Sequence, residues 1–357
     1  MPADDDRSTA PAPPRTRPVA PMDALGPPTL DAVAALAGVS RATVSRVVND
    51  SPKVSPSARE AVQAAVALTG YRPNRAARSL VTRRSDSVAL VVSEPDERVF
   101  GDPFFGRMVR GVSQAFADTP LQLILLMGQS PQERARLGHY LRGGHVDGVL
   151  LISLHGDDPL AKHVIQAGLP AVIGGRPPRS AAVSYVDADN EVGAHEAVCH
   201  LVASGRRRIA TITGPADMSA GVDRLRGYDR ALRESELPRD AALVVTGDFT
   251  EASGDQAVRE LLARTPDVDA VFAASDLMAV GALRALRAAG RRVPGDVALV
   301  GFDDSIRFTE PALTTVRQPI EAMGAAMGRI LIDELDDRSR PRSTVVLPTE
   351  LVVRDSS

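Results

Sequence analysis

Apolar residues recur every three to four positions at the start of a segment that opens on Thr29. Leu30, Val33, Ala34 and Ala37 fall on one helical face, and the Thr29 hydroxyl is placed to cap the free amides ahead of them. Gly38 permits a tight turn, and Ser40 caps a second helix that runs through Asn49. On that helix Val44, Val47 and Val48 turn inward, while Arg41, Ala42, Ser45, Arg46 and Asn49 turn outward. A third helix opens at Ser55-Pro56, with proline at its first position, and stops at Gly70. The outward set of the second helix has the chemistry needed to read DNA. Arginine bonds guanine edges, alanine touches a thymine methyl, and short hydroxyls hold phosphates.

The pattern changes at residue 87. Short continuous apolar runs at 87–93, 121–127, 148–153, 171–175, 208–213, 242–245, 270–275 and 297–302 alternate with helical segments such as 105–117, 190–204, 222–234 and 277–289. This alternation predicts parallel sheets covered on both faces, and eight runs suit two sheets better than one. Two such lobes gather their strand C-termini around a shared crevice, where ligands bind in this architecture.

The string LAGVSRATVSRVVN followed by GYRPNRAARSL resembles the DNA-binding headpiece and hinge helix of the LacI/GalR family of bacterial transcription regulators. The resemblance implies a helix-turn-helix headpiece over residues 29–73 and a hinge helix and linker over 74–86, with the hinge folding only on operator DNA. It implies a two-lobed α/β body of the type I periplasmic-binding-protein fold over 87–357. The implied DNA-contacting residues are Thr29, Ser40, Arg41, Ala42, Thr43, Ser45, Arg46, Asn49 and Ser55, with Asn74, Ala77 and Leu80 in the hinge. Leu80 would act as an apolar wedge in the minor groove. The family also implies a homodimer on a palindromic operator and a chain that crosses between lobes three times. Crossings are expected near 185–187, near 314–318 and near Arg340, with 343–357 forming a last strand pair joined through Pro348.

Charge supports a DNA-binding head on an acidic body. Residues 29–85 carry nine Lys/Arg against three Asp/Glu, whereas the whole chain of 357 residues has a net charge of −3. Hydrophobic residues make up 44% of the chain, enough for the cores of two to three domains. Residues 1–28 are rich in Pro and Ala with no apolar block, and read as a disordered tail of a cytoplasmic protein with no membrane association.

Strand ends and the family pattern together place the effector pocket. One lobe offers Phe104, Phe105, Ser153, His155 and Arg176; the other offers Arg224, Phe249, Ser275, Asp276 and Asp303. In the family, the positions matching Asp303 and Arg224 hold ligand hydroxyls or charged groups, and the one matching Phe249 stacks on the ligand. The segments IGGRP, TGPADMSAGVDRLRGY, GDFTEASG and AASDLMAVGALR are most similar to actinobacterial regulators of β-glucoside and cello-oligosaccharide use. The expected function is therefore a repressor released by a sugar such as cellobiose. Another sugar, or a purine or nucleoside, is the alternative.

Catalytic motifs do not fit. His195 and His200 flank a zinc-protease-like string but are five apart, which turns them roughly 140° from each other on a helix. His195 and Cys199 share a face without a further ligand nearby, and one cysteine excludes an internal disulfide framework. There is no phosphate-cradling GxxxxGK[ST] and no GxSxG elbow. The acidic clusters at 157–158, 303–304 and 334–337 lack calcium-loop spacing and, Asp303 apart, are expected on solvated surface. No cofactor, no metal and no enzymatic activity are expected. A transport receptor with the same crevice would need a secretion signal and no headpiece.

Overall fold

The computed structural model describes residues 28–72, 84–156, 158–177, 182–306 and 308–357, and the chain divides after Arg83 into two units. The first unit holds helices α1 (Leu30–Ala37), α2 (Arg41–Val48) and α3 (Pro56–Thr69). Thr29, Ser40 and Ser55 cap them, each side-chain oxygen accepting from a backbone amide three residues on. Gly38 (φ 65°) and Gly70 (φ 64°) end α1 and α3 in the left-handed conformation, which glycine adopts without steric cost. Val33, Ala34, Val44, Val47, Val62, Ala65 and Tyr71 form the core of this unit.

The second unit contains two parallel-sheet lobes. In the first lobe, β1 (Ser87–Val92), β2 (Gln122–Met127), β3 (Gly148–Ile152), β4 (Ala171–Gly174), β5 (Ser184–Ala188) and β11 (Thr344–Leu347) stand in the order β11-β5-β4-β3-β1-β2. In the second, β6 (Ile209–Thr213), β7 (Val244–Thr246), β8 (Ala270–Ala273), β9 (Ala298–Asp303), β10 (Thr314–Arg317) and β12 (Glu350–Val352) stand in the order β12-β10-β9-β8-β6-β7, with only β12 antiparallel to its neighbour. The first lobe is covered by α4 (Asp96–Gly101), α5 (Pro103–Phe116), α6 (Pro131–Arg142), α7 (Pro159–Gln166) and α12 (Ile320–Asp336). The second is covered by α8 (Asn190–Ala203), α9 (Ser219–Glu234), α10 (Glu251–Arg264) and α11 (Asp276–Ala288). The central strands of both sheets are fully buried, as expected for sheets covered on both faces.

The chain passes between lobes at three places. The first two follow the ends of β5 and β10, at 188–190 and 318–319, close to the expected positions. The third departs from expectation, since it lies at Pro348–Thr349 rather than near Arg340. The closing strands β11 and β12 are not a pair joined through Pro348. β11 adds in parallel to β5 of the first sheet, and β12 adds antiparallel to β10 of the second. Each sheet had an edge left open by the earlier crossings, and the two closing strands take one edge each. The third crossing is tied to the first, with Asp189 N donating to Leu347 O at 2.9 Å and Thr349 Oγ1 donating to Asp189 O at 3.3 Å.

Three of the helix pairs meet backbone to backbone at glycines. A Cβ at Gly111 of α5 would collide with the Glu321 backbone of α12, one at Gly281 of α11 with Glu251 of α10, and one at Gly227 of α9 with Glu191 of α8. Gly111→Ala should therefore cost about 1–3 kcal/mol through overpacking and lower the melting temperature by several degrees. Gly106→Ala lies on the same helix, where a Cβ meets open space, and should be neutral or slightly stabilising. Equal melting temperatures for the two variants would show that the α5–α12 contact can yield.

Candidate functional site

A cavity of roughly 350 Å³ lies between the two lobes, within the range of small-molecule sites. Three of its lining residues, Ser153 (φ 56°), Phe249 (φ 67°) and Asp303 (φ 117°), hold backbone conformations that favour glycine. Each follows or ends a strand: Ser153 after β3, Phe249 after β7 and Asp303 at the end of β9. Such strain costs on the order of 1–3 kcal/mol per residue and persists where the surrounding structure imposes it, commonly at ligand sites.

The electrostatic centre of the cleft is Arg224 on α9, only 5% exposed. Its Nε donates to Asn190 Oδ1 at 2.9 Å and its Nη1 to Ala274 O at 2.5 Å. Asp303 Oδ1 lies 3.5 Å from Nη1, and the guanidinium sits 3.7 Å from the Phe302 ring centre. Gln318 donates to Asp303 Oδ1 at 2.5 Å, and Asn190 donates to Asp187 Oδ1 at 3.0 Å. Asn190 and Gln318 belong to the first and second crossings, so this polar cluster is built on the chain segments that join the lobes. Burial raises the Asp303 carboxyl against the pull of Arg224, and pushes Asp187 up to about 6. The Asp102 carboxyl is raised by burial as well, while burial lowers Arg224.

Contacts also bridge the cleft at its rim. Arg176 of the first lobe donates from Nη2 and Nε to Asp223 of the second, with Nη2 2.6 Å from Oδ1. The His155 ring lies between Glu94 of its own lobe (3.1 Å) and Asp217 of the other (3.1 Å), and Gly156 N donates to Asp217 O at 2.8 Å. Arg107, paired with Glu321 within the first lobe, reaches the Asp303 and Asp304 carbonyls of the second at 3.4 and 3.3 Å.

In the headpiece unit, α2 exposes Arg41, Ala42, Arg46 and Asn49, with Thr43 and Ser45 half-buried between them. Arg41 makes a long ion pair with Asp31 at 3.7 Å between two exposed side chains, too weak to withhold it from another anion. The unit matches the model of bacterial regulatory proteins, lacI family, over residues 29–74, and residues 198–357 match a periplasmic binding protein-like domain. The HTH-type transcriptional regulator CelR of Thermobifida fusca is 55% identical over 334 residues, covering 92% of this chain and 98% of its own. This chain belongs to the lacI family of bacterial regulators.

Other lacI-family relatives include GalR of Escherichia coli (strain K12), 36% identical over 92% of this chain and 95% of its own. Among solved structures, a transcriptional regulator CelR–cellobiose complex is 53% identical with a TM-score of 0.75, covering 92% of this chain and all of that one. The lac repressor dimer bound to operator and the anti-inducer ONPF is 28% identical with a TM-score of 0.81, covering 92% and 99%.

In this lacI-family chain Phe104, Phe105, Ser153, Arg176, Arg224, Phe249, Ser275 and Asp303 all line the cavity. Two of the expected residues do not. Asp276 is fully buried below the lining, where it accepts from Thr315 Oγ1 at 2.5 Å and from the Ser305 amide at 2.8 Å, and so braces the loop after β9. His155 stands at the rim with both ring nitrogens already engaged. Of the lining residues, Ser275 uses its hydroxyl to cap α11 and Ser153 donates its own to Glu94. Asp102, Asp187, Asn190, Gln318 and Arg98 also line the cavity but were not anticipated. Asp187 and Gln318 lie in the segments expected to cross between lobes, which was the available signal.

Two acidic clusters also depart from expectation. Glu334 is buried, accepting from Ser184 Oγ and Arg342, and Asp304 pairs with Arg317 and Arg354. His195 and Cys199 do share a face, 3.5 Å apart, and among the described residues no group of three or more His, Cys, Asp and Glu side chains could hold a metal. Among those residues no helix is long and apolar enough to cross a membrane. Asn74, Ala77 and Leu80, like residues 1–27, lie outside the described residues.

The hydrogen bond to Glu94 raises the pKa of His155, with burial opposing and the Asp217 charge assisting. Its contribution to stability is therefore fully present below about pH 6.5, the ordinary histidine value, and is lost as pH rises through the higher folded-state value. Melting temperature measured from pH 5.5 to 8.5 should fall more steeply in the parent than in His155→Gln. Parallel curves would remove His155 as a bridge between the lobes.

Proposed function

We propose that this lacI-family regulator is a repressor of carbohydrate-utilisation genes that binds a palindromic operator as a homodimer and is released by cellobiose or a cello-oligosaccharide. In this reading the headpiece spans 29–73, a linking segment 74–86, and the effector-binding and dimerising body 87–357. Arg41, Ala42, Arg46 and Asn49 read or hold DNA; Thr29, Ser40, Thr43, Ser45 and Ser55 support phosphate contacts; Asn74, Ala77 and Leu80 act at the minor groove.

The observation that carries the reading is the polar cluster of Arg224, Asp303, Asn190 and Gln318 beside Phe249. Polar donors and acceptors next to an aromatic ring match a sugar's hydroxyls and its apolar face, and the likeness to the CelR–cellobiose complex narrows the sugar. Two members of the cluster sit on crossings, so a ligand bonded there has different affinity for different lobe angles. That difference is what lets it shift DNA affinity.

Fluorescence anisotropy on an operator selected from random DNA tests this directly. Cellobiose should weaken binding roughly 5- to 150-fold, and Asp303→Asn should raise the cellobiose needed for release by at least about tenfold. Release by a purine or pentose, with none by cellobiose or longer cello-oligosaccharides, would discard the sugar assignment. For the headpiece, Arg46→Ala should cost about 1–3 kcal/mol on the operator and much less on random DNA. Equal losses on both would reduce Arg46 to a phosphate contact.

A further inference from the structure

Arg98, on the short helix α4, is a half-buried cation of the cleft that the cluster around Arg224 does not use. Its Nη1 donates to Glu94 Oε1 at 2.6 Å, and the same oxygen receives Ser153 Oγ at 2.5 Å and lies 3.1 Å from His155 Nε2. Glu94 is 3% exposed, so the guanidinium is held by a carboxylate that is itself held. The Arg98 guanidinium carbon lies 5.3 Å from the centre of the Phe249 ring, which belongs to the opposite lobe, and 5.9 Å from that of Phe105. Its Nε is buried and meets no acceptor among the described residues, although Arg98 lines the cavity. A buried charged donor without an acceptor is costly, and the cavity beside it is where an acceptor can arrive.

We propose that Arg98 is an effector-binding and specificity-determining residue, donating through Nε to a hydroxyl of a sugar ring seated against Phe249. This rests on the sugar reading above. The acceptor is neutral, because Glu94 already balances the arginine and Asp102 and Asp248 lie within reach of its charge, so a second anion would meet carboxylates from both lobes. One end of the hydrogen bond is then on the first lobe and the aromatic platform on the second, and the ligand completes a link that cation–π contact alone makes weakly.

The test is calorimetric titration of the full chain with cellobiose and its monodeoxy analogues, on the parent, Arg98→Ala and Arg98→Lys. The parent should lose about 10- to 100-fold in affinity for the analogue lacking the hydroxyl that Arg98 bonds, as it should for those lacking hydroxyls held by the Arg224 cluster. Arg98→Ala should bind cellobiose weaker by a similar factor and no longer distinguish the first of these analogues. If the alanine variant does not fold, Arg98→Lys carries the same comparison, since its ammonium cannot reproduce the fork held by Glu94. An unchanged pattern of analogue preference overturns the proposal and leaves the sugar reading standing. Tighter cellobiose binding by the variants also overturns it, because Arg98 would then be a plug that the ligand displaces. Absence of cellobiose binding to the parent overturns both.

Discussion

A guanidinium buried between two lobes constrains everything around it. Moving Arg224 out of water is unfavourable unless its donors are satisfied and its charge is balanced, and no single element supplies both. Asp303 provides the balance from the end of β9, Ala274 a carbonyl from the end of β8, and Asn190 an amide oxygen from the first crossing. Gln318, from the second crossing, then holds Asp303. Satisfying one arginine has therefore drawn the joints between the lobes into the lining of the cavity.

The lobes themselves are stiff. Where helices touch at Gly111, Gly227 and Gly281, backbone meets backbone with no side chain to rearrange, and the central strands are covered on both faces. Relative movement is left to the crossings and to the polar contacts over the cleft, among them Arg176–Asp223, His155–Asp217 and Arg107 with the Asp303 and Asp304 carbonyls. These can part without disturbing either core, which is the arrangement a hinge-type change requires.

Much of this was legible in the residues. The three capped headpiece helices follow from Thr29, Ser40, Ser55 and the two glycine stops, and β1–β4 and β6–β9 follow from their apolar runs, whereas β5 and β10 carry no such run and were expected only as crossings. Eight of ten expected cleft residues line the cavity because strand C-termini converge in this architecture. The failures have physical causes. Asp276 sits at a strand end like its neighbours, yet its carboxylate turns inward to Thr315, a choice made by packing and invisible to position along the chain. Glu334 sits in an acidic run that reads as surface, but Ser184 and Arg342 come from distant segments to satisfy it. Arg98 went unnoticed because DERVFG carries no period or motif; only the fold brings Glu94 beneath it and Phe249 across from it.

The three crossings also bear on how the molecule is made. The sheet of the first lobe begins with β1 at Ser87 but is completed only when α12 packs on it and β11, ending at Leu347, joins β5. At ordinary synthesis rates of about 5–20 residues per second, the open edge of β5 waits on the order of 10 s while the second lobe through β10, and then α12, emerge. During that interval the nascent first lobe carries an unpaired strand edge and an uncovered apolar face, the features that invite aggregation. Neither lobe is thus a portion of the chain that can be cut out intact, because every truncation between β5 and β11 removes structure from both.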